Sequence, residues 1–311
     1  MKTLAWLGVW VAMVPAGGPG QEARRFKIGV TMHPSYSWVA NLVLGTPVEV
    51  VPVVGPEAEV HHFQPSPEDL KRMADLDAIV VNGLGHDDFI GGMIEASGNR
   101  KAKIINPNTD LPLIPYAQGK SHTHGGESKE APRRSVAYNP HTFLSLLGAV
   151  QQVYAIERAL SELWPAQAEA FRANAKRYAR RLRELKAATS ARLAGVGTAR
   201  VATVHDGYCY LLQEFGIEVI AVIEPAHGVE PSAKELATTI ESIKAAGVGV
   251  VFSELSFPQK LVEMIRKETG ARVYTFDHMS SGAYAADRFE TAMRANVETL
   301  VKALVTEAKG P

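Results

Sequence analysis

The sequence predicts an α/β protein of two lobes, each a parallel sheet flanked by helices, joined by a long rigid helical connector. Three observations carry this. Short apolar, β-branched runs recur in two groups of four, and amphipathic stretches such as SAKELATTIESIKAAG stand between them. Near-continuous apolar strands alternating with helices mark parallel sheets covered on both faces. Between the two groups lies a stretch rich in Ala, Leu, Arg and Glu with few helix breakers, the texture of a helical connector.

Taken in order, residues 1–16 read as a signal peptide. Lys2 precedes the apolar run LAWLGVWVAMV, small residues follow around Ala16, and the polar stretch GGPGQEARR comes next, which is the three-part secretory layout. The run is too short to span a bilayer comfortably. Cleavage is expected near Ala16, and the only cysteine, Cys209, lies far from it. The expected product is therefore a periplasmic protein without a lipid anchor.

The first lobe is expected over residues 25–139, with strands in KIGVTMH (27–33), VEVVPVVG (48–55), DAIVVNGL (77–84) and AKIINPN (102–108). Its segment GKSHTHGGESKEAPRRS (119–135) is polar, contains glycine and lacks apolar periodicity, so a mobile loop is expected there. The connector spans 140–193, with Pro165 tolerable in the first turn of its second piece. The second lobe, 198–311, has strands in ARVATVH (199–205), IEVIAVIE (217–224), VGVVFSEL (248–255) and ARVYTFD (271–277).

Composition excludes several function classes. With 33 basic and 33 acidic residues, the chain has no electrostatic footprint for nucleic acid. One cysteine cannot form an internal disulfide, so stability must come from an ordinary core, which 46% hydrophobic residues can supply. Cys209 is expected to pack as a small apolar residue.

The chemistry lies in histidines at strand ends. His61 and His62 sit side by side in EVHHFQPSPED, His141 opens the connector in AYNPHTF, His205 ends a strand, and Asp277 ends another in TFDHMSSG. Ligands of open α/β sheets bind outside the carboxyl ends of the strands, so these positions can converge on a crevice between the lobes. A lone histidine at a strand end is commonly structural; several at one edge point to a shared site.

The order MHPSYSWVANLVLG, HHFQPSPEDLKRMADLDAIVVNGLGHDDFI, NPHTF and EPSAKELATTIESIKAAGVGVVFSELSFPQKLVEMIRKETGARVYTFD resembles the zinc- and manganese-binding solute-receptor family of bacterial ABC importers. The resemblance spans nearly the whole mature chain. It implies a metal bound by His61, His141, His205 and Asp277, with His62 a solvated neighbour. Its H-x-[YF]-[EQ]-P motif places the ligand at His61, and its aspartate after the last strand falls on Asp277. It also implies an ABC permease as partner, a periplasmic metal donor protein as a second candidate partner, and a monomer. Two departures bear on the site. The histidine-rich loop common in the zinc receptors is reduced to SHTHGGES, which leaves His122 and His124 a possible capture role only. Asn139 stands where an aspartate is common, and is expected to be a turn former.

Three imidazoles and one carboxylate form an N3O set suited to tetrahedral Zn2+, whereas manganese prefers more oxygen. In the resembled family the manganese receptors usually carry a carboxylate where this chain has His205, so zinc is the expected cargo. The alternatives are a secreted zinc-dependent hydrolase, a manganese receptor, or an adhesin on the same scaffold. The chain has neither H-E-x-x-H nor G-x-S-x-G. A hydrolase would need His33 or Glu254 as its base, and both could equally orient imidazoles.

Overall fold

The computed structural model describes residues 25–58, 60, 63–115, 137–224 and 230–306. The predicted signal segment 1–16, the loop 119–135 with His122 and His124, and the His61–His62 pair lie outside the described residues.

All eight predicted runs form strands. The first sheet contains β1 (Phe26–Val30), β2 (Val48–Pro52), β3 (Ala78–Val80) and β4 (Lys103–Ile105) in the order β2-β1-β3-β4. The second contains β5 (Arg200–Thr203), β6 (Glu218–Val222), β7 (Val250–Glu254) and β8 (Arg272–Phe276) in the order β6-β5-β7-β8. Every pairing is parallel. In each sheet the strand order reverses between its first and third strands, which opens a crevice at their carboxyl ends. The runs extend past the strands: after β1 the chain enters α1 at His33, and after β5 Val204 still bonds the Phe252 carbonyl and the Glu224 N–H before His205.

Helices α1 (His33–Leu42), α2 (Pro67–Met73) and α3 (Phe89–Ser97) flank the first sheet; α6 (Cys209–Glu214), α7 (Ala233–Ala245), α8 (Gln259–Thr269) and α9 (Arg288–Val301) accompany the second. The S-P-x-D piece of the histidine motif has a local cause. Ser66 caps α2: its Oγ accepts from the Asp69 N–H at 3.3 Å, and the Asp69 carboxylate accepts from the Ser66 N–H at 2.8 Å. Pro67 occupies the first turn, where a missing N–H costs nothing.

The connector consists of two helices, α4 (Leu146–Leu163) and α5 (Ala168–Leu193), separated by Trp164 and a 3₁₀ turn that begins at Pro165. Pro165 lacks the N–H that would continue α4, so the chain turns and α5 packs back along it. On α5 the buried residues Phe171, Ala175, Tyr178, Leu182 and Leu185 recur at helical spacing. That face is held by both lobes: Asn174 donates to the carbonyls of Leu42 and Leu44 at 2.8 and 2.9 Å, and Arg181 donates to Asn41 and Glu290, each at 2.9 Å. One hydrophobic core cluster accordingly contains Ile28 and Val30 of β1, Tyr178 of α5, and Phe252 and Phe276 of the second sheet. Full burial of each large apolar side chain contributes roughly 1.5–3 kcal/mol. Among the described residues no helix is long and apolar enough to cross a membrane.

Candidate metal centre

His205 leaves the end of β5 and is 1% exposed. Its Nδ1 lies 2.9 Å from the carboxylate of Glu254, the last residue of neighbouring β7. A carboxylate can only accept, so Nδ1 carries the proton and Nε2 presents its lone pair. Asp206 adds negative charge 3.3 Å from that Nε2. Glu254 thus orients an imidazole, which decides between the two roles open to it from sequence. His33, the other candidate base, hydrogen-bonds the Gly282 carbonyl at 2.7 Å and stacks on Tyr284 at a centroid separation of 4.1 Å. Burial holds its ring below the usual imidazole range.

His141 is fully buried and is placed from the first lobe. The Asn82–Gly83 turn after β3 is gathered by Asp87, whose carboxylate accepts from the Asn82 and Gly83 N–H groups and the Thr31 hydroxyl, each at 2.7 Å. Burial pushes the Asp87 carboxyl above its ordinary range despite these donors. The Asn82 side chain then donates to the Pro140 carbonyl at 2.8 Å, one residue before the histidine. Asn139 does more than turn the chain. Its Oδ1 accepts from the His141 N–H at 3.0 Å and from ring Nδ1 at 2.8 Å, while its Nδ2 donates to the Asp206 carbonyl at 3.1 Å. The expected turn former is present in the Oδ1 bond to the His141 N–H, and Asn139 in addition orients the His141 ring and ties it to the His205 loop, which makes Nε2 the ring atom that could hold a metal.

His278 completes the group. One ring nitrogen from each of His141, His205 and His278 lies within 4.8 Å of the others, a group that could hold a metal ion, and all three residues are buried. The His141 and His205 rings meet nearly edge to face at 4.4 Å, with His278 at 5.2 and 5.1 Å from them. The close approach depends on Gly207, where a Cβ would come within 2.7 Å of His205 Cε1 and 3.1 Å of His141 Cδ2.

The structure therefore brings together two of the four ligand candidates, His141 and His205. His61 lies outside the described residues. Asp277 is not in the group: its two carboxylate oxygens take the Arg288 guanidinium at 2.6 and 3.0 Å. Sequence reasoning passed over His278, the next residue, whose only signal was being a histidine just past a strand end. It also passed over His86, whose ring centre lies 5.8 Å from that of His141. His86 lines a cavity of about 10 Å³ with Met32, His33, Val60, His278 and Met279. Cys209 is half-buried and burial pushes its thiol up to about 12, as expected for an inert packing residue.

Comparison with known proteins adds family context. The sequence model of the family described as zinc-uptake complex component A, periplasmic, matches residues 28–303. The zinc-binding protein AdcA of Streptococcus pyogenes serotype M1 is 26% identical over 298 residues, covering 92% of this chain and 57% of the streptococcal one. The zinc-binding lipoprotein AdcA of Streptococcus pneumoniae R6 is 24% identical over 305 residues, covering 96% of this chain and 59% of its own length. The chain thus spans little more than half the length of these curated relatives. Among solved structures, the solute-binding protein FpvC of Pseudomonas aeruginosa in complex with Mn2+ superposes with a TM-score of 0.80 at 43% identity, covering 90% of this chain and 98% of that one. FpvC in complex with Ni2+ gives 0.81 at 42% identity, with coverage of 93% and 99%.

Proposed function

We propose, from the premise that the chain belongs to the family of the periplasmic component A of zinc-uptake complexes, that it is an extracytoplasmic receptor that binds zinc and delivers it to an ABC importer. The observation that carries this reading is the buried cluster of His141, His205 and His278, with Nδ1 of the first two rings engaged by Asn139 and Glu254. Buried imidazoles whose outer nitrogens are fixed in this way have the build of a metal site. A Zn–N bond of about 2.0–2.1 Å in a tetrahedron sets the nitrogens about 3.3 Å apart. From within 4.8 Å, closure requires a contraction of no more than about 1.5 Å.

His278 replaces Asp277 in the proposed ligand set, and His61 is the fourth member. Val60 lines the cavity beside His278, and His61 is the residue that follows it. Four imidazoles favour zinc, nickel or copper over manganese, which prefers oxygen donors. The FpvC structures with Ni2+ and Mn2+ make nickel and manganese the informative competitors. Four protein ligands close a zinc site, and Glu254 is engaged with His205, so the arrangement suits carriage of the ion and not hydrolysis. The proposed partner is an ABC permease.

Zinc titration of single-alanine variants tests the ligand set. His61→Ala, His141→Ala, His205→Ala and His278→Ala should each weaken zinc binding at least about tenfold, the lower end of what loss of even an orienting partner costs. His62→Ala should have little effect. Unchanged affinity in His278→Ala would remove that residue from the site.

A further inference from the structure

The turn that follows β8 is braced more heavily than a surface loop requires. The Asp277 N–H donates to Asn296 Oδ1 at 2.8 Å, and the Asp277 carbonyl accepts from Asn296 Nδ2 at 2.9 Å, so α9 grips this residue from both sides. Asp277 Oδ1 accepts from the Met279 N–H at 2.8 Å, an Asx turn enclosing His278. Met279 takes φ 62°, a left-handed conformation uncommon for a residue with a side chain, and is 2% exposed. Arg288, the first residue of α9, grips the same carboxylate with both Nη groups and also donates to the Ser281 carbonyl at 3.3 Å. Such planar, two-pronged pairing is geometrically specific as well as strong.

The chain beyond the turn is fastened to the first lobe. Gly282 donates to the Pro56 carbonyl at 3.0 Å, the Tyr284 hydroxyl to that of Val54 at 3.0 Å, and the Ser37 hydroxyl to that of Ala285 at 2.7 Å. His278 is therefore carried on a segment held at both ends. The Asp277 carboxylate, adjacent to His278 in sequence, is a hard oxygen donor beside the cluster in addition to Asp206, and Arg288 occupies it.

We propose that Arg288 sets the metal preference of the histidine cluster by holding the Asp277 carboxylate out of it, and that the same ion pair fixes the turn that presents His278. Asp277 and Arg288 are positioning residues. They keep one further oxygen donor out of a nitrogen-rich set, which favours zinc or nickel over manganese. This inference rests on the cluster being the metal site.

The test compares the full chain with Arg288→Gln, Asp277→Asn and the double variant, using Zn2+ and Mn2+ competition titrations, the visible spectrum of the Co2+ form, and thermal melts to confirm folding. In Arg288→Gln the freed carboxylate should raise the Mn2+-to-Zn2+ affinity ratio at least about tenfold and alter the Co2+ spectrum. Both changes should vanish in the double variant. Asp277→Asn should retain the parent Co2+ spectrum with zinc binding weakened about tenfold, within the range for loss of an orienting partner. X-ray absorption of the zinc-loaded parent and Asp277→Asn proteins gives an independent arm that does not depend on Arg288→Gln folding, and the two metal shells should coincide. An unchanged affinity ratio in folded Arg288→Gln overturns the proposal. So does a changed metal shell in Asp277→Asn, which would make Asp277 a ligand. A parent protein that binds no zinc at all would instead sink the metal-site reading beneath it.

Discussion

A methyl group added at Gly207 would sit 2.7 Å from His205 Cε1, 3.0 Å from its Nδ1 and 3.1 Å from His141 Cδ2. Real Cβ atoms do not approach that closely, so at least one ring must move, and interiors packed at crystal density resist such movement. Gly207→Ala should lower zinc affinity at least about tenfold, as losses of ligand orientation do. Titration with a competing chelator measures this, and an unchanged affinity would mean that the two rings are not held as the metal requires. The same scale shows where sequence reading stops. His141 and His205 were legible because each marks a strand end or a loop start. Asp277 and His278 occupy one such end together, and a strand-end rule gives the address without saying which of two neighbours turns inward. The choice is made by Arg288, Asn296 and the Asx turn, contacts whose partners lie up to 19 residues away in sequence. Asn139 is legible as a turn former, but not as a residue that orients a ring, because what fixes its amide is Asp206 in the other lobe.

The secondary elements were more legible because their causes are local. The eight strands are short runs of Val, Ile and neighbouring apolar residues; central β3 and β7 are buried throughout, which favours such runs directly, while the edge strands are partly exposed. The helix after the His61 motif follows from Ser66, Pro67 and Asp69, whose capping box gives the S-P-x-D pattern a structural cause. Ser66→Ala should therefore destabilise the fold by about 1 kcal/mol, the usual cost of losing an N-cap oxygen, without any direct loss of a metal ligand. Chemical denaturation of the metal-free protein measures this, and a variant as stable as the parent would show that the cap contributes nothing. The connector was legible as helical but not in its course. Pro165 reads as a helix start from sequence, whereas packing of α5 back on α4 depends on apolar faces contributed by both lobes. Glu214 of α6 shows the same long-range dependence: it accepts from the Ser145 hydroxyl and from the Leu146 and Leu147 N–H groups at the start of α4. A carboxylate is favoured at that helix end, even though burial raises its proton affinity.

At the scale of the molecule, a single core cluster runs from the first sheet through α5 to the second, and the site lies where the two sheets' switch points face each other. His141 is positioned chiefly from the first lobe, through Asn82 and Asp87. His205 and His278 come from the second, and the segment after His278 is fastened back to the first. The two lobes are already packed together through that core cluster. The parallel sheets and their strand ends could be read in advance; of the three clustered imidazoles, position at a strand end or loop start marks His141 and His205 but does not single out His278. The most direct measurement is the metal content of the protein purified without added metal, followed by zinc titration of the parent and of a His141→Ala, His205→Ala double variant. One zinc per chain is expected in the parent and none in the folded double variant. A folded parent that takes up no zinc, or a double variant that binds it as tightly as the parent, would contradict the metal-site reading.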